Sequence, residues 1–440
     1  MLSRLPLSTL GRGALGTFAV NMAGTAIAFA LQILLARLMG LTSYGTYSFV
    51  ISWLSVLVIF CTLGFESSLL RLVAAYRSQE EWARLAGLLR SSTYFTICAS
   101  LIVSLVAGFV VWAGFSAIPR ELFITLLMGF LLLPVWAALN LKTAVLQSLK
   151  LYHWARIPQF IIRPILFAAL VFICWSAIGV SHAAAVMLLH TVSVMAVLYI
   201  CLLAASANIP AEVRSADPLD ESKQWSKLSS ALMLVSALQI VVNQIDTIAV
   251  GVLLGVKEVG VYAVASRVST LILFGMQAIN VVAAPLISEA YAAKDKAKLQ
   301  KLARQIALYI FVFSLPLVLA IILGAGLILA AFGPEYSAAL VPLLFLGLGQ
   351  LLNISAGPVG FLLTMTGNER ESIQVLSISL ALNVLLIIPG IWYWGVNGAA
   401  LATGLAIAVR NILLWLKVKR VLGIDSSIMA CFRRDIRRDP

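Results

Sequence analysis

The 440-residue chain is 62% hydrophobic and 11% charged, with 31 Lys and Arg against 18 Asp and Glu for a formal net charge of +13. Soluble domains carry roughly 45 to 50% apolar and about 25% charged residues, so this composition excludes a water-soluble fold and makes a bilayer the solvent. A basic excess marks cytoplasmic helix ends in a membrane protein, so no nucleic-acid partner is expected.

Apolar stretches of the about 20 residues that a bilayer needs recur from Ala14 to Lys419 and predict an all-α polytopic membrane protein of twelve transmembrane helices. A short basic leader, Met1 to Arg12, precedes helix 1 at 14–39. That helix is longer than a signal-peptide core and lacks a small-residue cleavage pattern, so it is expected to stay as an uncleaved anchor. Helices 2 to 6 follow at 45–69, 91–115, 122–146, 158–179 and 182–204. The stretch 205–227, with Pro210, Pro218 and mixed charges, reads as a cytoplasmic tether. Helices 7 to 12 are predicted at 228–254, 261–288, 305–331, 338–365, 372–393 and 397–417. Between helices 8 and 9, Glu289 to Arg304 alternates Ala, Leu and Lys, the pattern of an amphipathic surface helix on anionic membrane lipids. A basic cytoplasmic tail closes the chain. The domains are therefore 1–204, a six-helix lobe, 205–227, the linker, and 228–440, a second six-helix lobe with its tail.

With the N-terminus in the cytoplasm, 25 of the 31 Lys and Arg fall on the inner side and only Arg120 and Lys257 on the outer turns. Both termini are thus expected inside. The chain also repeats. Gly40-x4-Gly45-x-Tyr47 recurs 215 residues later as Gly255-x4-Gly260-x-Tyr262, and Gly179-Val180-x-x-Ala183-Ala184 recurs 216 residues later as Gly395-Val396-x-x-Ala399-Ala400. Six helices separate the copies, so both halves keep one orientation, an arrangement of parallel-repeat lobes that in transporters places the substrate between them.

Further matches fix a resemblance. Leu35-Ala36-Arg37-Leu38-Met39-Gly40 with Tyr44-Gly45, Gly64-Phe65-Glu66 with Arg71, and Asp246 with Gly251, Gly255, Gly260 and Tyr262 stand in order. Pro285 and Ser288, Phe332-Gly333 with Tyr336, Thr366-Gly367-Asn368-Glu369, and Gly395 with Gly398-Ala399-Ala400 complete the series. Together they resemble the multidrug/oligosaccharidyl-lipid/polysaccharide exporter superfamily, and within it the polysaccharide-biosynthesis flippases of the O-antigen type. The resemblance implies a V-shaped pair of lobes that carries a polyprenyl-pyrophosphate-linked oligosaccharide from the cytoplasmic to the outer leaflet of the bacterial inner membrane. Such a protein serves lipopolysaccharide O-antigen or other surface-polysaccharide biosynthesis, with H+ or Na+ and polysaccharide assembly proteins as further candidate partners. The peptidoglycan-precursor branch is similar but usually adds two C-terminal helices. Here the chain is read as ending after helix 12.

Arg37, Arg163, Arg267 and Arg410 fall inside predicted helices. A charge near the bilayer centre costs at least about 2.5 to 3.5 kcal/mol, so each needs a partner or an aqueous cavity. The planar guanidinium fork suits pyrophosphate oxygens, which makes these arginines candidate substrate-binding residues; snorkelling to headgroups is the plain alternative for Arg37, Arg163 and Arg410. Gln239, Asn243 and Asp246 follow i, i+4, i+7 spacing and predict a polar stripe on helix 7, read as cavity lining or as interhelical hydrogen bonding. Asp246 and Arg267 sit at nearly equal depth on the two arms of the helix 7 to 8 hairpin. Either they form a structural ion pair, or Asp246 takes a proton or sodium ion and frees Arg267 for phosphate. Glu66 is a second candidate ion-coupling carboxylate, or a local charge balance for Arg71.

His153, His182 and His190 lack ligand spacing, the five cysteines are scattered, and there is no Walker Gly-x4-Gly-Lys segment, so neither metal, nor cofactor, nor direct use of ATP is expected. Two other functions are weighed against a flippase. A multidrug or cation antiporter of the same superfamily would want an acidic cavity, whereas the helices hold four arginines against Asp246 and Glu66. A membrane polysaccharide polymerase or ligase would need an extramembrane catalytic loop, which the short outer turns deny, so an enzyme is not expected.

Overall fold

A 43-residue apolar helix such as Val20–Thr62 is about 65 Å long at 1.5 Å per residue, twice the roughly 30 Å hydrocarbon core. It must bend to stay in the membrane, and it does so at Gly40, whose φ of 73° and ψ of 172° lie outside the helical region. Helices 11 and 12 join in the same way across Gly395 within Glu369–Val421. The computed structural model describes residues 9–432 and contains no strand among them. Among the described residues, ten helices are long and apolar enough to cross a membrane, and since two of them are bent pairs, they carry the twelve spans. The leader before residue 9 and the tail beyond 432 lie outside the described residues.

The repeat is visible in the backbone. Gly255 takes φ 101° and ψ 172°, nearly the conformation of Gly40, in a region that only glycine enters readily. The equivalent pair Gly179 and Gly395 agree in φ, at 67° and 56°, but not in ψ, at 27° and −133°.

The chain forms two compact units, Leu15–Gln244 and a second from Ile245 onward. Their boundary lies inside helix 7, Ser222–Leu253, rather than at 227, because the first half of that helix packs on helix 2 of the first unit. There Ser68 and Ser229 hydroxyls share a 2.7 Å hydrogen bond, and the Gly64 backbone touches Ser229 and Met233.

The segment expected as a loose tether is folded onto the first unit. Its apolar residues explain why. Val213 and Trp225 are buried with Phe65, Leu69, Val73, Leu85 and Leu88, and the Trp225 indole donates to the Tyr76 hydroxyl at 3.0 Å. Leu219 N donates to Ala83 O at 3.0 Å, and Arg84 bridges Glu81 and Glu221 at 2.8 and 3.0 Å.

Glu289 to Arg304 is not a separate surface helix. Helix 8 runs on to Ala292, and helix 9 starts at Lys296, where the Asp295 carboxylate accepts from Lys298 N at 2.8 Å and caps it. The start of the expected tail is also packed. Gln300 and the Asp425 backbone exchange two 2.7 Å hydrogen bonds. Burial would raise the Asp425 carboxyl, but donors from Trp415 and Ser427 outweigh it and hold the group below its ordinary range.

Candidate functional site

In the second unit, the turn at Gly255 folds helix 8 back along helix 7 and sets Tyr262 opposite Asp246. Asp246 is 7% exposed. Its Oδ2 accepts from the Tyr262 hydroxyl at 3.2 Å, and its Oδ1 accepts from the Asn383 amide of helix 11 at 2.6 Å. Tyr262 also shares a 3.1 Å hydrogen bond with Thr403 of helix 12, whose hydroxyl reaches Ala399 O at 3.0 Å. Arg410 acts on Asp246 through charge without forming a direct ion pair.

This carboxylate is therefore held by neutral groups. One further atom is out of balance, since Asn383 Oδ1 is buried with no hydrogen-bond partner. Carboxylate, amide and hydroxyl oxygens are hard donors, suited to H+ or Na+ and ill-suited to soft metals. Among the described residues, no group of three His, Cys, Asp or Glu is placed to hold a metal ion.

Arg267 does not pair with Asp246. It lies exposed on helix 8. Five residues separate it from Tyr262, roughly 140° around a helix of 3.6 residues per turn, so a helix that turns Tyr262 toward Asp246 turns Arg267 away. The polar stripe on helix 7 is likewise divided, with Gln239 and Asn243 exposed and Asp246 buried.

In the first unit, helix 5 includes a π segment, Pro158–Ile162, and Arg163 is the next residue, half-buried. The Arg163 charge acts on Tyr47 and His190. The Tyr47 hydroxyl and His190 Nδ1 are 3.0 Å apart, and Phe167 stacks on the imidazole at 4.7 Å. The repeat offset maps Tyr47 onto Tyr262, Phe167 onto Asn383 and Leu31 onto Asp246. One lobe thus holds an aromatic and imidazole cluster where the other holds a carboxylate.

Glu66 follows the break of helix 2 at Gly64, which has φ 76°. Its side chain lines one pocket with Asn140 of helix 4, while the Thr62 hydroxyl before the break donates to Ile59 O at 3.3 Å. Arg37 is exposed, three residues before the Gly40 bend. The sequence reading missed Asn383, Thr403 and Asn140. A polar residue in an apolar span was the available signal.

The chain matches the sequence profile of the family described as "Polysaccharide biosynthesis protein" over residues 10–291, and that described as MatE over 231–388. No curated protein matches it significantly. Its fold is similar to an inward-facing multidrug resistance MATE family transporter of the MOP superfamily, at TM-score 0.71 and 16% identity, over 93% of this chain and 98% of that one. It is also similar to the lipid II flippase MurJ in an inward closed conformation, at TM-score 0.71 and 15% identity, over 92% and 87%. A third similar structure is a Pyrococcus furiosus MOP superfamily transporter, for which a reversed polarity of the binding pocket suggests a different function, at TM-score 0.57 and 16% identity, over 92% and 94%.

Proposed function

This chain belongs to the polysaccharide biosynthesis protein family of the multidrug/oligosaccharidyl-lipid/polysaccharide exporter superfamily, and from that premise we propose that it flips a polyprenyl-pyrophosphate-linked oligosaccharide. The transfer runs from the cytoplasmic to the outer leaflet of a bacterial inner membrane, by alternating access, in O-antigen or related surface-polysaccharide assembly. The observation that carries the reading is the charge inventory of the spans. Arg163, Arg267 and Arg410 lie on transmembrane helices without ion pairs among the described residues, and a pyrophosphate is the ligand that such cations suit. Deleting the gene should remove the surface polysaccharide and leave its lipid-linked precursor in the inner leaflet. Normal polysaccharide in the deletion strain would refute the proposal.

Arginine and lysine differ at a phosphate site, since only arginine offers the two-pronged fork. Arg267→Lys is therefore expected to lower transport several-fold at unchanged expression, and Arg267→Ala to lower it further. Wild-type flux in well-expressed Ala variants at Arg163, Arg267 and Arg410 would leave these residues no part in binding.

The orientation proposed from charge bias has both termini and the 205–227 segment in the cytoplasm. Cysteines introduced at Ser181, Val256, Gly333 and Trp394 should react with an impermeant thiol reagent added outside. Reaction only after permeabilisation would invert the topology.

A second reading, a cation or multidrug antiporter, is favoured by the match of residues 231–388 to the MatE profile, a stretch that includes Asp246 and Asn383. It predicts drug susceptibility on deletion, with the polysaccharide intact.

A further inference from the structure

The first unit contains an open pocket of about 180 Å3. Helix 2 supplies Glu66 and Ser67, helix 4 supplies Asn140, Thr143 and Gln147, and helix 5 supplies Gln159; only Leu70 and Ala144 add apolar walls. Polar groups inside a helical membrane bundle are costly unless they are partnered or wetted, so six of eight lining residues being polar calls for an explanation.

Their hydrogen bonds narrow it. The Thr143 hydroxyl is spent on Leu139 O at 2.7 Å, and Asn140 shares the pocket wall with Glu66. Ser67, Gln147 and Gln159 make no side-chain hydrogen bond to the described protein, so two carboxamides and a hydroxyl keep both donors and acceptors for a guest. Two backbone irregularities aim these groups. Glu66 and Ser67 follow the left-handed Gly64 break in helix 2, and Gln159 sits in the π segment Pro158–Ile162, a device that recurs at functional sites.

The donor set selects the guest. A phosphate would meet the Glu66 carboxylate, an apolar drug would strand the amides, and a multivalent cation would find one formal charge. A polyhydroxylated ring offers donors and acceptors on neighbouring carbons, which carboxamides and a carboxylate engage in pairs. Arg163 lies four residues beyond Gln159, about one turn along the helix, so a sugar held by Gln159 stands within a linkage of a pyrophosphate held by Arg163. We propose that this pocket is a sugar subsite, taking the ring of the cargo nearest the pyrophosphate. The proposal rests on the flippase reading and adds to it the residues that read the saccharide.

The test compares two ligands on the full chain in nanodiscs, bare undecaprenyl pyrophosphate and the lipid-linked saccharide extracted from source cells lacking the gene. Wild-type protein should bind the saccharide-bearing lipid at least about tenfold more tightly than the bare carrier. The double variant Gln147→Leu, Gln159→Leu should lose that preference, about tenfold per amide at most, while holding the bare carrier as before. Equal binding of the two lipids by the wild type, or a preference that survives in the double variant, overturns the subsite and spares the flippase reading. Binding of neither lipid by the wild type removes that reading and the subsite with it. If the double variant loses the bare carrier as well, Gln159→Asn, which shortens the amide without removing it, carries the same comparison.

Discussion

Asp246→Asn is expected to abolish gradient-driven transport, by about 100-fold or more, while leaving the protein folded. Asparagine keeps the shape of the side chain and an oxygen to accept from Tyr262 or Asn383, whose hydrogen bonds to Asp246 are 3.2 and 2.6 Å. What it removes is the charge and the exchangeable proton. A coupling ion drives a cycle only through its difference in affinity between conformations, and about 5.5 kcal/mol of such difference is needed to carry a two-state equilibrium from 1:99 to 99:1. Without the carboxylate, neither H+ nor Na+ has an anionic partner in this cluster, where Asn383 Oδ1 is also left over. Vesicles with an imposed proton or sodium gradient, assayed beside thermal unfolding, measure both halves of the expectation. Because Arg267 does not pair with Asp246, adding Arg267→Gln is not expected to restore transport. Full gradient response in Asp246→Asn would return Asp246 to a packing role.

Much of the fold could be read from the sequence because each span is fixed by local composition. A bilayer forces about 20 apolar residues per crossing, and this is why the bends at Gly40 and Gly395 fell where glycine interrupts the hydropathy. The repeat could be read for a similar reason, since Gly40 and Gly255 hold one unusual backbone conformation. Partnership was harder. Helical spacing says which residues share a face of one helix, but not which helix that face meets, and Asn383 is 137 residues from Asp246. Equal depth alone suggested Arg267, and the turn of helix 8 presents Tyr262 instead. The linker misled by its prolines and charges, although Val213 and Trp225 were the signal that it would dock.

Gly64→Ala is expected to destabilise the first unit by about 2 to 5 kcal/mol, from two separable causes. Gly64 has φ 76° and ψ 5°, a left-handed conformation that costs an L-residue about 1 to 2 kcal/mol. A Cβ there would also stand 2.1 Å from Ser229 O and 2.8 Å from Met233 N. These are backbone atoms of helix 7, which no side-chain rotation can clear, and such overpacking costs about 1 to 3 kcal/mol. Gly179 isolates the first cause, being left-handed at φ 67° with nothing within 4 Å of an added Cβ. Gly179→Ala should therefore cost only about 1 to 2 kcal/mol. Unfolding of both variants in one detergent gives the difference directly, and values within about 0.5 kcal/mol of each other would mean that helices 2 and 7 are not in close contact at this point. Since Glu66 lies two residues past Gly64, a shift large enough to relieve the clash also moves the carboxylate that lines the polar pocket. Gly64→Ala should then weaken binding of the saccharide-bearing lipid, and Gly179→Ala should not.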